Sequence, residues 1–577
     1  MTGSIMTPTP RSSVTALETT LPPHSPQIRS VSLEHEIAVD EHRIEKYGAN
    51  DPQEPKPKND SSIFDTKPLD PNMVTWTDAN DQLNPQNWSE RKKWAITGLC
   101  ILLALNVCVI FIKGGSAFLT LPFSRSSTFS SSAPTSLTSG IIAAFDINTE
   151  TAYALVTVFL LGYMVGPVLW GPGSELYGRR PVMLGTMTVY TLFHLGQALA
   201  QNIQTLMICR FFGGFFAVGP LTVNGGIIAD VWPALGRGPA TSLFSASVFM
   251  GPVLGPIVGG FIATSPVSWR WVFWVMMIFA GICTILGFVF LPETYAPVLL
   301  LERAKNLRKD NPEKNADLYA EHEKQDWSVR GVLHRTLYRP FQMLLMEPIL
   351  VLVTIYLSIV YGVLYALFEA IPVIFVETRG FTIWQNGLIF IGVGIGTSLG
   401  SLINHLCSRH YPELVPRWKG FPPPEERLYG AMIAGPCLVI GAFWLGWTGQ
   451  YASIPWYVPA ISTIFIGAGI NLIFMSFLSY LVDTYLMYAA SAFAANTIIR
   501  SLVAAAFPLF TVQMYHNLGI NWASTLVGLI ALVLAPSPFL FYKFGAQIRS
   551  RSKFAPCIDL KIAKQLEIED RRGAKAV

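Results

Sequence analysis

The residues of this sequence that could do chemistry are ionisable side chains set inside, or between, long apolar runs. Glu175, Gly178, Arg179 and Arg180 fall in GPGSELYGRRP, Gly171 to Pro181, a short turn wedged between two such runs. Arg210, Glu369 and Arg500 lie within or near the ends of others, as do Asp230 and Asp483. Groups of this kind can exchange charge partners, hold a cation or carry a proton. Nothing is arranged for bond making, because the sequence has no nucleotide loop, metal-ligand cluster or nucleophile elbow. It is read as no enzyme, with no metal and no cofactor.

The elements that must hold these residues follow from composition. With 51% hydrophobic and 14% charged residues the chain is too apolar for a soluble protein of 577 residues and is read as an all-α integral membrane protein. Stretches of about 20 apolar residues, enough to cross about 30 Å of hydrocarbon, recur from Trp94 to Phe544. Inside lipid the backbone must satisfy its own hydrogen bonds, so these runs are predicted to be helices. They fall near 94–112, 152–171, 181–200, 206–229, 240–263 and 271–291, then near 348–375, 384–406, 429–448, 456–479, 488–513 and 523–544.

Arg91, Lys92 and Lys93 before the first span, Arg179 and Arg180 after the second, and Arg303, Lys305, Arg308 and Lys309 after the sixth make every second loop basic. The positive-inside rule then puts both termini in the cytosol. The expected order is a disordered cytosolic tail (1–93), a six-helix bundle (94–292), a cytosolic central loop (293–346), a second six-helix bundle (347–545) and a cytosolic tail (546–577). Two six-helix halves suit a transporter that rocks them about a midplane site. The net charge of +4 is spread over loops and suggests no nucleic-acid partner. The expected partners are a small-molecule substrate, protons and the lipid bilayer, with the chain a monomer.

Each motif has a plain and a functional reading. Arg179 and Arg180 can reach acids such as Glu175 and Asp230 at the cytosolic face, or can simply obey the charge rule. Arg210 lies several residues inside the fourth span, where a fixed charge needs a partner or a wet cavity, or else snorkels to the outer interface. GPVLGPIVGG puts Gly251, Gly255 and Gly259 four apart on one helix face for close approach of another helix, beside Pro252, Pro256 and Gly260. Glu369 is either a proton- or cation-binding carboxylate or a solvated or paired acid at the outer mouth. His194 can titrate or pack. Tyr361, Tyr365 and Phe368, with Asn471 and Phe474, have helical spacing and either line a cavity for flat apolar solutes or pack helices.

These spans, their orientation and GPGSELYGRRP together resemble the major facilitator superfamily, specifically fungal drug:proton antiporters with twelve spans. The resemblance covers about residues 80–555 and is carried further by NPQNWSERKKW (84–94), RFFGGFFAVGPLTVNGGIIAD (210–230), SWRWVF (268–273), PETYAPVLL (292–300) and SAFAANTIIRS (491–501). It implies a twelve-helix fold of two six-helix pseudo-symmetric halves. It also implies a conformational latch at Gly171, Glu175, Gly178, Arg179, Arg180 and Asp230, proton coupling at Arg210, and an antiporter motif between the fifth span and the other half. Leu176 departs from the family's usual pattern and removes one charge from the latch.

Against the family pattern, residues 111–127 interrupt the first span, either as an unremoved short intron or as a genuine outer loop. The expected activity is efflux of small amphipathic compounds, drugs, toxins or fungal secondary metabolites, in exchange for protons. Polyamine or organic-cation export is the alternative, and a transporter-derived receptor is a further class. The plasma membrane is the expected site, with the vacuolar membrane as the other. Sequencing the transcript tests the insert: reads that consistently span it defeat the intron reading.

Overall fold

The computed structural model of the chain describes residues 70–105, 132–233, 237–324, 334–418 and 420–566, a few single positions excepted. The expectations for residues 1–69, for the insert 111–127 and for residues 567–577 lie outside the described residues. Ten of the described helices are long and apolar enough to cross a membrane. These are α3 (Thr149–Tyr177), α5 (Ile203–Val231), α6 (Arg237–Thr264), α7 (Trp271–Phe290), α10 (Pro348–Pro372), α11 (Ile383–Cys407), α12 (Tyr429–Gly449), α13 (Tyr457–Tyr485), α14 (Ala489–Leu518) and the pair α15 (Ile520–Leu534) and α16 (Ser537–Arg549). An eleventh, α4 (Arg179–Ala198), has spanning length at 20 residues but is too polar to stand out by hydropathy. At the first-span end of the chain the described residues are α1 (Glu90–Leu105) and, beyond residues 106–131, a 3₁₀ turn at Ala133–Leu137 running into α2 (Thr138–Phe145).

Local sequence explains where several helices begin. Asn148 caps α3 by accepting from the Thr151 amide, and Asn202 caps α5 by accepting from the Thr205 amide. Thr382 and Gln385 form a reciprocal capping box at α11.

Both halves repeat one packing scheme. In the first half α3 packs on α5, α4 on α5 and on α7, and the outer piece of the first span on α6. Six spans later α11 packs on α13, α12 on α13 and on α15, and α10 on α14. The halves meet along α6 with α11 and α3 with α14, two pairings that exchange under the same six-span offset. Glycine makes the tightest of these contacts possible. A Cβ on Gly162 of α3 would lie 2.0 Å from the Phe211 carbonyl of α5, and one on Gly396 of α11 would lie 2.1 Å from the Ile464 carbonyl of α13.

The glycine stripe of α6 does not face the other half. Gly255 and Gly259 lie against Ser132, Ala133 and Ser136 of the first span, within their own half. Proline chemistry fixes that contact. Pro256 has no N–H to serve the Pro252 carbonyl one turn back, and the Ser132 hydroxyl donates to that carbonyl at 3.1 Å instead. Contact with the second half falls to Gly260, against the Ile383 carbonyl, and to the Pro256 carbonyl, against Gly387.

The expected disorder up to residue 93 does not hold for its last part. Val74 is buried with Ala304 and Ala320, and Met73 pairs with Tyr319 in a parallel bridge. Asp81 meets Arg303 at 2.7 Å, on the amphipathic helix α8 (Ala296–Asp310). The Arg303 hydrogen bond, with backbone amides of Leu83 and Thr77, holds the Asp81 carboxyl well below the usual carboxylate range. That contact therefore stays charged at any cytosolic pH.

Gly162→Val should prevent accumulation of monodisperse protein, because the clash falls on backbone that cannot rotate away. Gly185→Ala, whose Cβ would meet nothing within 4 Å, should leave the melting temperature unchanged or slightly raised. Size-exclusion profiles and thermal unfolding in detergent check both.

Candidate functional site

Gly178 ends α3 at φ 98°, and a Cβ there would lie 2.4 Å from Glu293 Oε2. The next residue starts α4, which has no side-chain cap of its own. Glu293, just beyond α7, supplies one: its carboxylate accepts from the Arg179 amide at 2.9 Å and the Arg180 amide at 3.1 Å. It also accepts from the amides of Thr294 and Tyr295, each at 2.9 Å. A negative charge thus sits on the positive end of the α4 dipole.

Held this way, Arg179 donates from Nε to Asp230 Oδ2 at 3.1 Å and from Nη1 to Ser174 at 2.7 Å, with its guanidinium 4.6 Å from the Tyr295 ring. Arg180 donates to the Phe288 carbonyl at 3.0 Å. Glu175, expected as a partner, forms no ion pair among the described residues. Its charge still acts on Arg179 from beyond ion-pair distance, and its backbone carbonyl is engaged by His322 Nε2 at 3.1 Å. Gly171 is unconstrained, since the nearest atom to an added Cβ is 3.7 Å away. Sequence reading missed Glu293, although PETYAPVLL was in view, because a carboxylate that binds amides in another helix leaves no spacing signal.

The second half carries a counterpart. Arg427 reaches Asp483 at the end of α13 at 2.8 Å, Tyr411 donates to the same oxygen at 2.6 Å, and the guanidinium lies 3.3 Å from the Tyr411 ring. Chain separations of 51 residues for Arg179–Asp230 and 56 for Arg427–Asp483 were the available clue. Below this pair Arg549, at the end of α16, grips both oxygens of Glu425 and both of Asp559 at 2.8–2.9 Å. Glu347 holds the amides of Lys553 and Phe554 at 2.9 and 3.2 Å. The residues after α16 are therefore bound back under the second bundle.

Mid-bundle, the charges sit differently. Arg210 is 0% exposed, donates from Nε to the Leu155 carbonyl at 3.3 Å and lies 4.5 Å from the Phe159 ring, so it does not snorkel. Tyr190 and Tyr365 are within its electrostatic reach. His194 is buried edge-on to Tyr190. Glu369 is 4% exposed and its Oε1 has no hydrogen-bond partner, which corrects the reading of a solvated or paired mouth acid. The physical reason is packing: helical backbone runs past Glu369 as a π-helical turn to Glu377, and the carboxyl is enclosed within the bundle.

The aromatic residues do come together. Tyr361 contacts Tyr365 and Phe474, Tyr365 contacts Phe368, Phe368 stacks on Phe390, and Phe249 of the first half meets Phe474 edge-on. Asn471 instead donates to the Thr397 carbonyl and the Ser401 hydroxyl, both at 2.6 Å, and ties α13 to α11.

The family profile of the Major Facilitator Superfamily matches residues 123–508. The ascochitine biosynthesis cluster MFS transporter of Didymella fabae is 41% identical over 493 residues, which make up 85% of this chain and 90% of that protein. The MFS-type efflux pump MFS2 of Trichophyton rubrum is 42% identical over 501 residues, 86% of this chain and 80% of that one. The solved structure of the xylose transporter XylE from E. coli, partially occluded and inward-open, is similar with a TM-score of 0.52 at 19% identity, covering 79% of this chain and 98% of that one. That likeness is one of fold.

Gly178→Ala should lower the melting temperature by several degrees, because φ 98° and ψ 157° fall in a region essentially confined to glycine, at a cost of about 1–3 kcal/mol to a residue with a Cβ before the clash with Glu293 is counted. Gly171→Ala should leave it unchanged. Thermal unfolding of the two purified variants, side by side, checks the contrast.

Proposed function

Because the chain belongs to the Major Facilitator Superfamily and is a multi-pass membrane transporter, we propose that it exports small amphipathic compounds in exchange for protons, by alternating access, at the plasma membrane. The observation that carries this reading is Glu369, buried beside the aromatic cluster with an oxygen that no neighbour satisfies. A carboxyl that is dry in one state and wet in the next, as two halves rock, can take a proton on one side and release it on the other. Arg210, buried against Phe159 in the first half, is the second coupling group of the proposal. The clamps at Arg179–Asp230 and Arg427–Asp483 then act as paired latches of the cytosolic side.

Relatives named for efflux and for biosynthetic-cluster transport support the outward direction and a secondary-metabolite or drug cargo. Energetics permit it. About 100 mV and one pH unit supply about 3.7 kcal/mol per proton, which sustains about a 500-fold gradient of a neutral solute. A second reading, export of polyamines or other organic cations, is favoured by the same unsatisfied carboxyl, which would suit a cationic cargo.

Expressed in a pump-deficient yeast, the chain should raise tolerance to some members of an amphipathic compound panel and lower their cellular retention. In proteoliposomes, Glu369→Gln should cut pH-driven export at least tenfold. Uptake in place of export, or correct localisation without transport of any compound, defeats the reading. Loss of polyamine export with neutral compounds spared selects the cation alternative.

A further inference from the structure

Arg500 is the charge in the bundle that the reading above leaves unused. It lies on α14, eleven residues from its cytosolic end and so about 16 Å along the helix, near mid-depth. The residue is 8% exposed and forms no ion pair or side-chain hydrogen bond with the described residues, and its Nε is buried without a partner. Aromatic faces hold it in place: the guanidinium lies 4.8 Å from the Tyr361 ring and 5.2 Å from the Phe474 ring.

A second donor points to the same place from the other half. The hydroxyl of Tyr163, on α3, is buried without a hydrogen-bond partner and lies within electrostatic reach of Arg500 and Tyr361. Phe249, on α6, meets Phe474 with ring centroids 5.0 Å apart. Glu369 does not fill the role of counter-ion, because it sits eight residues beyond Tyr361, about 12 Å along α10, and makes no ion pair with Arg500.

Arginine cannot shed its charge, so a dry guanidinium with an idle N–H calls for an anion. We infer that Arg500 and Tyr163 bind the acidic group of the cargo, a carboxylate or phenolate, while Tyr361, Phe474 and Phe249 receive a flat aromatic body attached to it. The inference rests on the export reading and names the substrate class of the same central site: planar aromatic acids. The two donors come from opposite halves, so an anion bound to both bridges the halves at the midplane. A guanidinium also offers two parallel donors, which suits a carboxylate better than a point charge does.

The test uses purified full-length protein and four probes of stated chemistry: 2-naphthoate, its neutral isostere 2-naphthamide, the cation 2-naphthylmethylammonium, and acetate. Affinities are measured by calorimetric titration without any proton gradient, so the result stands apart from whether the protein exports. The wild-type chain should bind 2-naphthoate at least tenfold more tightly than 2-naphthamide, with the cation and acetate weaker still. Arg500→Gln should bring the naphthoate-to-naphthamide ratio close to one, and Arg500→Lys should keep a reduced preference. If Arg500→Gln does not yield folded protein, the wild-type ratio and its reduction in Arg500→Lys decide. A wild-type ratio near one, preference for the cation, acetate binding as well as naphthoate, no binding of any probe, or a preference untouched by Arg500→Lys overturns the proposal. Naphthoate selectivity without export in yeast would leave the site standing and remove the export reading alone.

Discussion

The carboxylate of Glu293 on the first two amides of α4 is the contact from which this end of the first half is built. A helix entering the membrane with uncapped amides would leave donors in a region where water is scarce. Glu293 removes that cost, and by binding backbone it fixes the start of α4 without occupying the arginine side chains. Arg179 is then free to span to Asp230, so one short segment joins the ends of the sixth, third and fourth spans. The lone requirement at the turn itself is a residue without a Cβ at Gly178, since both the positive φ and the Glu293 carboxylate exclude one.

The second half solves the same problem with altered charges. Arg427 and Asp483 stand where Arg179 and Asp230 stand, yet the residue arriving from the last span is Arg549, and its partner at the start of the ninth is Glu425. Polarity is inverted while the linkage of ends is kept. Asp559 and Glu347 extend the linkage to the chain beyond α16. This is how duplication persists when residue identity has faded: the packing pairs and the clamped ends repeat at a six-span offset, whereas the side chains that serve them do not.

Much of this was legible in the sequence, and the failures share a cause. The spanning helices found among the described residues and the Arg179–Asp230 pair follow from hydropathy and a turn with two arginines. Glu175 was a natural partner by proximity along the chain; it acts on Arg179 through space, while the direct contacts go to Asp230 and Ser174. The glycines of GPVLGPIVGG announced a close contact without saying with what, because a missing N–H at Pro256 frees a carbonyl for any hydroxyl that arrives, and Ser132 arrives from 120 residues away. Glu369 was misjudged for exposure because hydropathy places a residue along a span but does not say which neighbours cover it. Residues 72–81 looked like more of an unstructured tail, yet the apolar side of α8 gave Val74 a place to bury.

Charge placement divides the molecule into two regimes. At the helix ends joined by these clamps every buried arginine described above has an acid on another segment, which offsets the cost of burying both charges. At mid-depth the pattern reverses: Arg210 rests on a carbonyl and a ring, Arg500 lies between two rings, and Glu369 has an unsatisfied oxygen. The aromatic column from Tyr361 to Phe368 runs along α10 from the ring that Arg500 faces to the residue before Glu369. A bundle that only needed stability would gain by pairing these groups or replacing them with packed hydrocarbon. Kept as they are, Glu369 and Arg500 retain bonding capacity that packed hydrocarbon would not supply.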